Sequence, residues 1–262
     1  MGKSTTISLL VFLAFLACIP QADAQSPIYL GLKGGISIPN LQGGGSNSQI
    51  SNGYKSIEGP YFGIFADFKA SRSFSIQVEL NYSAQGGQKN GTQAIATSQL
   101  PPGLIPAGTP PADIPPYVYA TYNSKARLNY LELPILAKYS ISLGKGWKFL
   151  VDAGPYVGYM LRAHDITSGD SSYVYADKGE TQPLAPFKVD FSGTQDIRSD
   201  IYKFNLGIQG GVGFEYHFKK CGYLYLEGGG NYGFLNIQKY TADGKNQTGA
   251  GTVALGYAFK IR

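Results

Sequence analysis

The chain has 262 residues, a formal net charge of +5 and only 15% charged residues, against about 25% in an ordinary soluble domain. Its basic residues are dispersed, which excludes nucleic acid as the expected partner. Beyond the first 24 residues no apolar run reaches the roughly 18 needed for a spanning helix, and Cys221 is the sole cysteine left there, which excludes a helical membrane anchor and an internal disulfide framework.

Residues 1–24 carry Lys3, an apolar run from Ile7 to Ile19, and Ala22-Asp23-Ala24 before Gln25. This is the pattern of a Sec signal peptide cleaved after Ala24. Phe15-Leu16-Ala17 before Cys18 is a poor lipoprotein site. The remainder, 25–262, is expected to be one domain, and its apolar residues alternate with polar ones in about eight segments. In chain order these carry Ile28 to Ile38, Phe62 to Phe68, Phe74 to Tyr82, Leu131 to Leu143, Trp147 to Leu161, Tyr202 to Phe218, Leu224 to Phe234, and Val253 to Ile261. The fourth and fifth, joined by a three-residue Gly144-Lys145-Gly146 turn, form a long hairpin. Period two predicts strands, and their length matches the roughly nine to eleven tilted residues that cross a bilayer. The expected fold is an eight-stranded antiparallel transmembrane β-barrel.

Short links at Ala70 to Arg72, Gly144 to Gly146 and Lys219 to Gly222 alternate with long ones at about 39–57, 86–125, 163–200 and 236–247. That alternation predicts short periplasmic turns, long external loops and both termini in the periplasm of an outer-membrane protein. Aromatic residues cluster at the two ends of the apolar stripes: Phe68, Phe74, Tyr139, Trp147, Phe218 and Phe259 toward the short turns, and Tyr82, Tyr159, Tyr202 and Phe234 toward the long loops. Two aromatic girdles favour a lipid-facing exterior over a soluble barrel, and outer-membrane lipids are the expected surroundings of a monomer.

The segments Tyr130-Leu131-Glu132-Leu133-Pro134, Gly154-Pro155-Tyr156-Val157-Gly158-Tyr159 and Gly210-Gly211-Val212-Gly213-Phe214-Glu215-Tyr216 resemble the PorT-like outer-membrane β-barrel proteins of the Bacteroidota. The resemblance implies an eight-stranded barrel. A few such relatives are linked to type IX protein secretion, and carrying that role over would be analogy alone.

The candidate site is the set of polar residues assigned to the lumen: Glu79, Glu132, Lys138, Lys148, Asp152, Arg162, Lys203, Glu215 and Glu227, with Lys33, Asp67 and Lys69 beside them. They either line a permeation path or neutralise one another. An eight-stranded lumen is just wide enough for side chains to fill, which favours a closed, paired network. An unpaired buried charge is too costly to keep, so Glu132 and Asp152 are each expected to sit near Lys138, Lys148, Arg162 or Lys203.

Catalysis has few candidates. His164 near Asp165 and Ser168 is the one sensible base for a lipid-active enzyme, but it reads more simply as a loop histidine, and His217 as a structural one. No zinc or EF-hand spacing occurs, so neither metal nor cofactor is expected. The proline-dense stretch Leu100 to Tyr117 and the acidic stretch Ala163 to Asp200 are the places where specificity would lie. The expected function is non-enzymatic: loops presented for surface interaction, with an extracellular or envelope protein as partner, or a contribution to envelope integrity. A narrow solute channel and a lipid-active enzyme are the alternatives.

Overall fold

The computed structural model describes residues 27–44, 48–100, 103–105, 114–169, 171–219, 221–240 and 243–261. The expected signal peptide, Cys18, Asp170 and much of the proline-dense stretch lie outside them. The strands are β1 (Ile28–Gly44), β2 (Gly59–Lys69), β3 (Phe74–Ala96), β4 (Tyr117–Gly144), β5 (Trp147–Ser168), β6 (Gly193–Asp196), β7 (Phe204–Phe218), β8 (Gly222–Gly233) and β9 (Lys245–Lys260). All neighbours are antiparallel, in the order β4-β3-β2-β1-β9-β8-β7-β5-β6, and β4 also pairs with β5.

This corrects the eight-stranded antiparallel transmembrane β-barrel expected from the sequence. The structure is a nine-stranded sheet, and among the described residues no helix is long and apolar enough to cross a membrane. The additional strand, β6, pairs residues 193–196 with the far end of β5 through its backbone. Gly193-Thr194-Gln195-Asp196 has no apolar alternation, so its pairing left no pattern to read.

Strands also run into stretches read as loops. β3 continues to Ala96 and β4 begins at Tyr117, so half of 86–125 is a two-stranded extension in continuous register from Gly86↔Arg127 to Ala96↔Tyr117. β5 likewise continues to Ser168. The hairpin turn is tighter than three residues. Gly144 pairs with Trp147, leaving Lys145 and Gly146 as the two central residues, at φ of 52° and 89°. Positive φ at both positions is what a type I′ turn requires and what matches strand twist.

The faces of the sheet are inverted relative to a soluble protein. Leu133, Ile135, Val151, Val157, Leu206, Phe214 and Leu255 are exposed, whereas Asp67, Glu79, Asn81, Glu132, Lys138 and Glu215 are buried. All six girdle residues at the short-turn end are exposed, as are Tyr159, Tyr202 and Phe234 at the other. The buried face is filled in layers. Toward the turns lie Phe65, Leu150, Tyr223, Tyr225 and Ala258; toward the long connections lie Leu41, Leu128, Tyr130, Met160, Ile201 and Ile237. The inward aromatics fit because a neighbouring strand supplies glycine. A Cβ on Gly256 would stand 2.2 Å from the Tyr225 ring, well inside contact distance.

Alternation fails at one place. Asn129 pairs with Arg162 and Tyr130 with Met160, which leaves Leu161 as an extra, unpaired residue. This bulge turns both Leu161 and Arg162 outward and returns Ala163 to the buried face. Deleting Leu161 should therefore preserve every face assignment and leave the urea midpoint in lipid vesicles near that of the wild type. Deleting Val157 should invert the far half of β5, costing more than about 4 kcal/mol or abolishing folding. Equal tolerance of both deletions would contradict the assigned bulge.

Candidate functional site

The inner face carries one connected set of polar side chains, built by period-two placement on β1, β2, β3, β4, β5, β7 and β8. At its turn end, Lys138 Nζ lies 2.5 Å from Glu215 Oε1 and 3.5 Å from Asp67 Oδ2. It also donates to Gln77 Oε1 at 3.1 Å. Asp67 accepts from the Tyr223 hydroxyl at 2.7 Å and pairs with Lys69 at 2.9 Å. His217 Nε2 meets Glu215 Oε2 at 2.7 Å, which gives that histidine a positioning role within this network. A second pair lies beside the first: Lys33 Nζ to Glu79 Oε2 at 2.6 Å, with Gln77 and Asn81 amides donating to the same carboxylate at 2.6 and 2.7 Å.

Glu132 differs from expectation. It is 1% exposed, yet its partners are neutral, the Ser83 side chain with Asn231 Nδ2 at 3.0 Å and Gln85 Nε2 at 3.3 Å, rather than any of the four expected cations. Asp152 is also buried and forms no ion pair among the described residues, although Lys138 is its register partner. Both carboxylate oxygens of Asp152 are buried without a hydrogen-bond partner among the described residues, and the Glu227 carboxylate is a like charge close enough to act on it. The Glu227 side chain lies over Gly211, where a Cβ would stand 2.9 Å from Glu227 Oε1.

Two assignments change, those of Arg162 and Lys203, while Lys148 keeps its inward parity. Arg162 is exposed because the Leu161 bulge shifts its parity, and Lys203 is exposed because it precedes β7 and offers its carbonyl to the Met160 N–H at 2.8 Å. Lys148 is half-buried opposite Glu215 in the ladder, with no ion pair among the described residues. The network gains side chains that the sequence reading passed over, namely Tyr61, Tyr223 and Tyr225. Tyr61 sits between outward Pro60 and Phe62, and Tyr225 between outward Leu224 and Leu226, so parity alone pointed these two inward.

His164 pairs across β5 with Arg127 and Asp196. Asp165 takes its hydrogen bond from Ser124 Oγ at 2.8 Å, and Ser168 is exposed. These three residues are not arranged as nucleophile, base and orienting acid. Among the described residues, no group of three or more His, Cys, Asp or Glu side chains converges to hold a metal ion.

Beyond the inner network, the strand extensions carry structure of their own. Residues 171–192 fold against β3 and β4, burying Val118, Ala120, Val174 and Ala185 with Leu104. Thr121 and Thr92 donate to Glu180 Oε1 at 2.5 and 2.9 Å, fastening this segment to both strands. Between it and the long-connection end of the inner face lies a cavity of about 530 Å³.

The model of the outer membrane protein beta-barrel domain family matches residues 21–239, and the chain belongs to that family. It is an outer-membrane protein. No curated protein matches it in sequence. Among solved structures it is similar to the Neisserial surface protein A, at 11% identity over 88% of this chain and 97% of that one, with a TM-score of 0.39. It is also similar to Ail, the attachment invasion locus protein of Yersinia pestis, at 8% identity over 90% and 100%, TM-score 0.38. The outer membrane protease OmpT from Escherichia coli matches at 9% identity over 91% and 98%, TM-score 0.43. At such identities and scores these likenesses say nothing of activity or partner.

Replacing Lys138 by Met should leave Glu215 with His217 and Asp67 with Lys69 and cost up to about 3–5 kcal/mol, with partial recovery when Glu215→Gln is added. Because Glu132 is held by neutral donors, Glu132→Gln should cost about 1 kcal/mol or less, and Glu79→Gln, which strands Lys33, distinctly more. Urea unfolding in lipid vesicles reads all four; an equal effect of the two glutamate changes would contradict the assigned partners.

Proposed function

We propose that this outer-membrane protein is non-enzymatic, keeps its interior closed by paired polar side chains, and presents the end bearing the long connections as its interaction surface, as a monomer whose exposed apolar face lies against outer-membrane lipid. The observation that carries the reading is the packing of the inner face: Lys33, Asp67, Glu79, Lys138 and Glu215 are each 3% exposed or less. Charges so deeply withdrawn and paired bind one another rather than a stream of ions. The folded segment over the strand extensions supports the second part, because a surface with its own apolar core holds side chains in fixed positions. The Tyr130 to Pro134 strand supports a place near the PorT-like proteins of the Bacteroidota, and an extracellular or envelope protein is the partner such a surface suits.

In planar bilayers the purified protein should give no steady open-channel current. Sustained conductance that the Lys138→Met variant alters would overturn the closed interior and favour a narrow channel. The orientation follows from the alternation of short and long connections. Cys221, exposed in the short link between β7 and β8, offers a native reporter. A membrane-impermeant maleimide should label it only after the outer membrane is opened; labelling on intact cells would reverse the topology.

A further inference from the structure

The cavity at the long-connection end has a chemistry distinct from the inner network. Its volume, about 530 Å³, lies within the range of small-molecule sites, roughly 300–1,000 Å³. The floor is apolar, formed by Leu41, Leu128, Ile201 and Ile237. Aromatic walls stand above it: Tyr54 on one side, and on another Tyr122 stacked on Phe191, with ring centroids 4.9 Å apart and planes 13° from parallel.

Charge on the lining is one-sided. Among the described residues Asp165, Asp190, Asp200 and Asp243 contribute to it, against a single lysine, Lys89. That lysine is already engaged, donating to the Ile50 carbonyl, lying 4.2 Å from the Tyr54 ring centroid and attracted by Asp165, so that it offsets one of the four carboxylates and leaves the lining net acidic. Its contact with Tyr54 also shows that a ring of this cavity accepts a cation on its face. An anionic ligand would meet repulsion from four carboxylates, and a neutral apolar one would leave the acidic side of the cavity unused.

We propose that this cavity binds a small organic cation with an aromatic or aliphatic body, the apolar part seated on Leu128, Ile201 and Ile237 and the charge directed toward Asp165 and Asp200. Rings and carboxylates around an apolar floor favour such a ligand on two counts, burial of its body and attraction of its charge. The inference deepens the reading of this end as the interaction surface by assigning one class of ligand to it.

The test uses two rigid ions of the same shape and opposite charge, tetraphenylphosphonium and tetraphenylborate, titrated calorimetrically into the full-length protein in zwitterionic micelles, with empty micelles as the partition control. The wild type should bind the phosphonium at least tenfold more tightly than the borate. Asp165→Asn with Asp200→Asn should remove most of that preference while leaving borate uptake unchanged. Should that double variant fail to fold, Asp190→Asn at the exposed rim and a salt series on the wild type serve instead, both weakening phosphonium binding alone. Equal affinity for the two ions, or a preference indifferent to salt and to these aspartates, would overturn the proposal. Steady bilayer conductance alongside an intact cation preference would overturn the closed interior while leaving this site standing.

Discussion

Lys138 is the constraint on which the inner face turns. Its ammonium, on β4, bonds Glu215 on β7 and Asp67 on β2, so one buried charge ties three strands that do not pair with one another in the sheet. Withdrawing a lysine from water costs several kcal/mol, and only close, multiple partners offset it. The partners exist because strand alternation delivers acids and amides to the same face, and because Tyr223 and Gln77 satisfy what the carboxylates leave open. Polar side chains thus occupy the place that a soluble protein gives to its apolar core, and Leu133, Val151, Val157 and Leu255 are left on the outside.

Much of this was legible in the sequence where period two was clean. The hairpin of β4 and β5, the outward stripe from Leu131 to Leu143 and the burial of Glu79, Glu132, Lys138, Asp152, Glu215 and Glu227 all follow from alternation. What parity cannot supply is register between distant strands. Glu132 therefore found neutral donors instead of a cation, and Asp152 is buried without an ion pair among the described residues. Nor does alternation announce its own interruption: one unpaired residue, Leu161, sends Arg162 to the opposite face. The strand extensions escaped notice for a compositional reason, since Gly86 to Ala96 is rich in glycine and amides and shows no apolar stripe, and β6 is four polar or glycine residues held by backbone alone.

The two ends of the structure divide the work. The short links hold β2 to β3, β4 to β5 and β7 to β8 with little chain outside the sheet, and the Lys145-Gly146 turn fits strand twist with both φ values positive. At the opposite end β3 and β4 extend well past the inner network and carry residues 171–192 on their faces. There the buried material changes from charged and amide groups to Leu41, Leu128, Ile201 and Ile237, and the cavity forms where this apolar layer meets the acidic segments above it.

The central claim is that the exposed apolar face meets lipid, and the chain's single tryptophan can report on it. Trp147 is 48% exposed beside the short β4–β5 turn, with its ring against Tyr216. In vesicles its emission should be quenched by lipids carrying bromine or nitroxide high on the acyl chain, and shielded from aqueous iodide. Free quenching by iodide with no effect from any lipid-borne quencher would contradict the account.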